Sequence, residues 1–149
     1  MAGTSVARPQ RPAQSARNAG YSGTALVDKL GIKADARLQF VGAPPSFFAT
    51  LGERPQGSRI VGRGPLDFAL LFVTARSELV KSFPRLRDRL VPNGMLWVSW
   101  PKKASGVTTD LSEGIVRTIG LELGLVDVKV CAVDETWSGL KFVRRLKDR

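Results

Sequence analysis

The sequence of 149 residues has no histidine, one cysteine and one tyrosine. Without histidine it lacks the usual general base, the Ser-His and Cys-His nucleophile pairs and most zinc sites. Any chemistry has to use carboxylates, Lys, Tyr, Ser or Thr, or a bound cofactor. A lone cysteine cannot close an internal disulfide. Cys131 lies between Val130 and Ala132 in an apolar strand pattern, the setting of a small buried hydrophobe, and this usage points to a reducing cytoplasm. Long hydrophobic runs are missing too. The strongest, Leu66 to Val73, is interrupted by Asp67 and falls well short of the ~18–20 apolar residues that span a bilayer. The expectation is a soluble protein with no membrane partner.

Acids are also scarce, at 13 against 23 Lys and Arg, for a net charge of +10. The excess concentrates at the ends. Residues 1 to 21 carry Arg8, Arg11 and Arg17 with no acid, and residues 141 to 149 carry Lys141, Arg144, Arg145, Lys147 and Arg149 against Asp148. Charge placed this way attracts polyanions weakly and without specificity, and implies at most nonspecific nucleic-acid binding through the ends. The first twenty residues have two prolines and no apolar block. They read as a disordered basic tail, although an organellar transit peptide has the same Arg-rich, acid-free composition.

Between these ends, residues 21 to 145 have the length of one domain and enough apolar residues for a core without disulfides. Residues 146 to 149 form a basic C-terminal end. Ser22 or Thr24 can cap a short helix that Gly31 stops after Leu30. Arg37 to Val41 reads as a strand. Ser46 then caps a second short helix with Phe47, Phe48 and Leu51 inward. Residues 59 to 61 are a very short edge strand or merely extended chain, because only Gly62 to Leu66 separates them from the next strand and a parallel crossover usually takes a dozen residues.

Asp67 to Val73 and Met95 to Trp100 are apolar on both faces, as central parallel strands buried between two helix layers must be. Between them Thr74 or Ser77 caps a helix whose stripe is Leu79, Phe83, Leu86 and Leu90, with a kink or two half-helices at Pro84 and a solvated face of Lys81, Arg85 and Arg89. Pro92-Asn93-Gly94 reads as a turn. Asp110 and Glu113 form a capping box for a helix running from Leu111 through Ile115, Val116 and Ile119 to Leu123, in which Gly114 and Gly120 permit close approach to the sheet and Gly124 is the stop. Asp127 to Val133 and Leu140 to Arg144 form a terminal antiparallel hairpin around DETWSG. The whole reads as α/β, a three-layer Rossmann-like domain of five to six strands, in spatial order by first residue 59, 37, 67, 95, 140, 127.

In such a sheet, ligands bind where the carboxyl ends of the parallel strands open. The loops that meet there bring together Trp100, Lys102, Lys103, Ser105, Gly106, Thr108, Thr109, Asp134, Glu135, Thr136, Trp137 and Ser138. Two lysines ahead of a glycine loop and a helix N-terminus suit a small anionic ligand, and Trp100 or Trp137 can stack on a flat group. The bland alternative is that Lys102 and Lys103 are solvated or pair with Asp134 and Glu135, while Thr109 and Asp110 only cap a helix. Asp134 and Glu135 are adjacent, point to opposite faces and are better suited to a turn than to joint acid-base work. No catalytic residue emerges. Gly52 to Gly57 has the gap of a phosphate loop but Ser58 in place of its Lys, and Gly62-Arg63-Gly64 begins a dinucleotide fingerprint that Asp67 ends.

The segments YSGTALVDKLGIK (21 to 33), PLDFALLFV (65 to 73), LWVSWPKKASGVTTDL (96 to 111) and GLVDVKVCAVDETWSGLKFVRR (124 to 145) resemble a family of small uncharacterised bacterial proteins known only as a domain of unknown function, a likeness that implies no activity. More distantly, the element order and the terminal hairpin are similar to class I S-adenosylmethionine-dependent methyltransferases. That resemblance implies a glycine-rich cofactor loop after the first strand, where this chain has Gly42-Ala43-Pro44-Pro45, and a ribose-binding acid after the second, where it has Gly62-Arg63-Gly64. The cofactor is therefore left unassigned. The function expected is a binding domain for a small anionic ligand or protein partner rather than an enzyme. The alternatives are a reduced methyltransferase-like enzyme and a nucleic-acid accessory protein using its basic ends.

Overall fold

A computed structural model describes residues 25–149. The basic tail of residues 1 to 20, the start of the folded region at Tyr21 and the caps Ser22 and Thr24 lie outside the described residues.

Six strands form one sheet: β1 (Arg37–Val41), β2 (Arg59–Ile60), β3 (Leu66–Phe72), β4 (Leu90–Pro101), β5 (Val126–Ala132) and β6 (Trp137–Val143), in the order β2-β1-β3-β4-β6-β5. The spatial order expected from the sequence holds throughout. β2, β1, β3 and β4 are parallel, whereas β6 runs antiparallel to β4 and β5 antiparallel to β6. The short link at residues 61 to 65 is possible because β2 is only two residues long and pairs with the first two residues of β1. The chain therefore has little distance to retrace before β3 begins.

Helices cover both faces. On one face, α1 (Leu26–Leu30) and α2 (Phe47–Leu51) close over Leu38, Phe68, Leu70, Phe72 and Trp97. On the other, α3 (Arg76–Arg87) and α4 (Glu113–Glu122) close over Ala69, Leu71, Leu96, Val98, Leu140 and Phe142. Both faces of β3 and β4 are thus buried, as their unbroken apolar runs require. Trp97 lies at the centre, fully buried, and donates its indole N–H to Leu30 O at 2.8 Å, which ties α1 to the sheet. Gly120 is where α4 meets β6: a Cβ there would sit 2.1 Å from a ring carbon of Phe142, so only glycine allows this approach.

Several local expectations are corrected. Pro84 does not divide its helix, since α3 runs unbroken through it. The carbonyl freed by the missing amide belongs to Val80, on an exposed turn that water can reach, while Phe83 and Leu86 hold the inner side. The helix ends at Arg87, so buried Leu90 opens β4 instead of completing the helical stripe. Pro92-Asn93-Gly94 is not a free turn; it is absorbed as a register irregularity inside β4, between the pairs Leu66–Leu90 and Phe68–Met95. Arg89 is not a solvated helix residue, because its guanidinium bonds Gly64 O and Gln39 Oε1. Ser46 precedes α2 without a side-chain cap, and Phe48 is exposed. A five-residue helix cannot turn both adjacent phenylalanines inward, and Phe47 takes the core position.

Candidate functional site

The carboxyl edge of the sheet brings together most of the predicted site. The loop after β4 and the β5–β6 turn touch directly, with Lys102 N–H donating to Thr136 O at 2.7 Å. Asp134 shapes the turn: its Oδ1 accepts the amides of Thr136 and Trp137, each at 2.8 Å. Glu135 is exposed, and Trp137 lies half-buried with its ring edge-on to Phe72, 5.2 Å between centroids. Ser138 contributes its carbonyl to the hydroxyl of buried Ser99 at 2.8 Å.

On the opposite side, Lys103–Ser105 form a single 3₁₀ turn closed by Gly106 in the left-handed region. Ser105 is committed to this turn, donating to Lys102 O at 2.6 Å and accepting from Val107 N. Thr108 is exposed. Trp100 is the member the structure does not deliver: at 4% exposure it belongs to the core, because the last β4 residues stay paired with β6 and sandwiched between layers. Trp137 is the tryptophan that reaches this rim.

Asp110 and Thr109 do more than cap one helix. α4 starts two residues later than the expected box predicts, and its cap is Ser112, whose Oγ accepts the amide of Ile115 at 3.3 Å. Asp110 instead reaches across to α3 and accepts the amide of Arg76 at 2.8 Å. Thr109 donates to Thr74 O at 2.6 Å and accepts from Leu111 N, tying the loop after β4 to the loop after β3. α3 is capped by neither Thr74 nor Ser77. Its start is held by Glu78, whose carboxylate accepts the amides of Thr74 and Ala75 and the Thr74 hydroxyl. The Thr74 amide chiefly holds the Glu78 carboxyl below the usual carboxylate range.

Glu78, Asp110 and Asp134 are therefore spent on backbone amides, and the lysines are left over. Among the described residues the ion pairs all use arginine, and neither Lys102 nor Lys103 meets Asp134 or Glu135. No group of His, Cys, Asp and Glu among the described residues could hold a metal ion. No helix among them is long and apolar enough to cross a membrane.

The amino edge holds a cavity of about 450 Å³ that the residue pattern did not anticipate, lined among others by Lys33, Asp35, Arg37, Arg59, Asp67 and Met95. Its floor is the pair of Arg37 and Asp67, each side chain 33% exposed, in which one carboxylate takes the backbone amide and two guanidinium N–H groups of Arg37 at 2.8–3.0 Å. Those bonds hold the Asp67 carboxyl below its ordinary range. The signal was available: Arg37 and Asp67 sit at the starts of strands that become neighbours, so pairing the strands pairs the charges.

The β1–β3 junction, where strand order reverses, and the terminal antiparallel hairpin decide the likeness. The fold is that of the S-adenosylmethionine-dependent methyltransferases. No family model matches the sequence, and a search of curated protein sequences finds no match. Among solved structures, a methyltransferase of this class from Aquifex aeolicus aligns at a TM-score of 0.59 and 14% identity over 78% of this chain and 86% of that one. A precorrin-6y C5,15-methyltransferase from Geobacter metallireducens aligns at 0.56 and 9%, over 80% of this chain and 86% of that one. Aeropyrum pernix fibrillarin, in complex with natively bound S-adenosyl-L-methionine, aligns at 0.55 and 15%, over 80% and 73%. At these identities the likeness establishes the fold and nothing finer.

Proposed function

We propose that the protein is a methyltransferase-fold binding domain that takes a small anionic ligand at the carboxyl edge, between the 101–109 loop and the 134–138 turn. The observation that carries this reading is that Lys102 and Lys103 have no carboxylate partner among the described residues, although Asp134 and Glu135 lie across a gap bridged at Lys102 N–Thr136 O. Two unneutralised ammonium groups on a braced rim are ready to meet an anion, with half-buried Trp137 beside them.

The usual pose of S-adenosylmethionine does not fit the residues present. Pro44 and Pro45 have no amide to offer, and the amide of Phe47 is bonded to Pro44 O. The amides of Thr74, Ala75 and Arg76 are already taken by Glu78 and Asp110. After β2 the chain reads Val61-Gly62-Arg63-Gly64, with no acid for a ribose. A second reading, a reduced S-adenosylmethionine-dependent enzyme, is favoured by the shared topology with a neighbour that carries this cofactor, and it requires a different cofactor pose.

One thermal-shift experiment separates the two. Nucleotides, phosphorylated metabolites, S-adenosylmethionine and S-adenosylhomocysteine are each added to the wild type and to the double variant Lys102→Ala/Lys103→Ala. The first reading expects an anion to raise Tm in the wild type only. A shift with S-adenosylmethionine that survives in the double variant overturns it in favour of the second.

A further inference from the structure

Lys129 and Lys141 are direct cross-strand partners in the β5–β6 pairing. Facing residues in an antiparallel pair are about 4.5–5.5 Å apart at Cα, and like charges placed so are destabilising. Both project toward α1: the Lys129 amine donates to Lys29 O at 2.9 Å, and Lys141 is also the register partner of Trp97, whose indole bonds Leu30 O. Lys33, just after α1, joins them. Burial and the neighbouring charges of Lys129 and Lys33 hold the Lys141 amine below its ordinary range. No described carboxylate forms an ion pair with Lys33, Lys129 or Lys141.

The positive charge continues past Lys33 along the cavity to Arg59, exposed at the start of β2. Its nearby acid, Asp67, is spent on Arg37, which leaves Asp35 as the other carboxylate of the lining. At ~4.8 Å per strand, the distance from β5 to β2 is about 24 Å. A single small anion cannot reach across that span, whereas a polymer with regularly spaced phosphates can.

We propose that this face of the domain, from Lys129 and Lys141 beside α1 through Lys33 to Arg59 at the amino edge, binds the phosphate backbone of a nucleic acid. The recognition is electrostatic and independent of base sequence, because the surface presents cations and no arrangement for reading base edges. It belongs to the folded domain and is separate from the basic ends of the chain. The repulsion between Lys129 and Lys141 is then a stability cost that a bound phosphate relieves.

The test uses the full chain and a fluorescein-labelled DNA duplex of about 20 base pairs, with anisotropy followed from about 50 to 200 mM salt. Lys33→Glu/Lys129→Glu is expected to weaken binding at least tenfold at the lower salt and to reduce the slope of log K against log[salt] by about 2. Its Tm without DNA should change little, since the carboxylate brought in by Lys129→Glu attracts the Lys141 amine where the native ammonium repels it, offsetting the lost bond to Lys29 O. Lys33→Arg/Lys129→Arg should retain binding, and Lys81→Glu/Arg85→Glu, on the exposed side of α3 over the other face of the sheet, should leave the slope unchanged. The proposal is overturned if the wild type fails to bind at the lower salt, if the Lys33 and Lys129 reversal leaves the slope intact, or if reversal at Lys81 and Arg85 lowers it equally. It is also overturned if pyrophosphate at matched ionic strength displaces the duplex and raises Tm, the result expected of a small-anion pocket.

Discussion

The two edges of the sheet use charge in opposite ways. At the carboxyl edge helices begin, and carboxylates meet their amides: Glu78 holds the start of α3 and Asp110 takes its first amide. At the amino edge helices end, and arginines meet their carbonyls. Arg87 donates to Leu123 O at the end of α4, and Arg144 to Arg87 O at the end of α3 and to Leu90 O where β4 opens. This is the arrangement the helix dipole favours. These acids and arginines are thereby consumed as structure, and lysines are left over at the carboxyl edge and on the face that leads to the amino edge. The two differ in what surrounds those lysines: a braced rim above, and below it a cavity and a lysine pair forced together by strand register.

The largest effect is expected at Trp97, which ties α1 to the sheet. Trp97→Ala should cost about 3–5 kcal/mol as a large buried side chain is lost, seen as a fall in the urea midpoint. Trp97→Phe keeps a ring and loses the bond to Leu30 O, at about 1 kcal/mol. Amide hydrogen exchange should then quicken across residues 26 to 33 and stay unchanged across 102 to 109.

At the amino edge, Asp67→Asn should lower Tm by a few degrees, and the effect should depend on pH. The folded pKa of Asp67 lies below its unfolded value, so its contribution is fully present above the unfolded carboxylate pKa of ~4 and is lost as pH falls through the lower folded value. Melts taken on acidification should therefore decline less steeply in the variant. Equal slopes would remove the Arg37–Asp67 pair from the account. At the carboxyl edge, Asp110→Ala should cost about 1 kcal/mol, the usual loss of a helix cap, measured by chemical denaturation. If instead Glu113→Ala cost more than Asp110→Ala, the capping box within α4 would be the better description.

The smallest effect is expected of Lys102→Ala/Lys103→Ala without ligand, within about 0.5 kcal/mol of wild type. That near-neutrality is what makes the pair a clean probe of binding. A marked loss of stability would mean that the lysines brace the rim.

The strands, their order and the three layers could be read from residue patterns. Runs such as Phe68 to Val73 and Leu96 to Trp100 fit strands covered on both faces, and DETWSG fits a hairpin, although its last three residues, Trp137 to Gly139, already belong to β6 and the turn itself is Asp134 to Thr136. The predicted site was legible as a neighbourhood, because strand direction alone assigns loops to an edge. Its members' roles were not. Trp100 looked available and is core; Asp110 looked like the cap of its own helix and caps another.

Sequence by itself determined the alternation of elements, since local periodicity is a property of neighbouring residues. Which charged groups meet, and what they meet, came only with the folded chain. Asp110 takes the Arg76 backbone amide, Asp67 pairs with Arg37 and Lys129 faces Lys141 only after the sheet sets its register, and electrostatic energy depends on distance in space. Lys102 with Lys103, and Lys129 with Lys141, are the lysines that this pairing leaves without a carboxylate among the described residues.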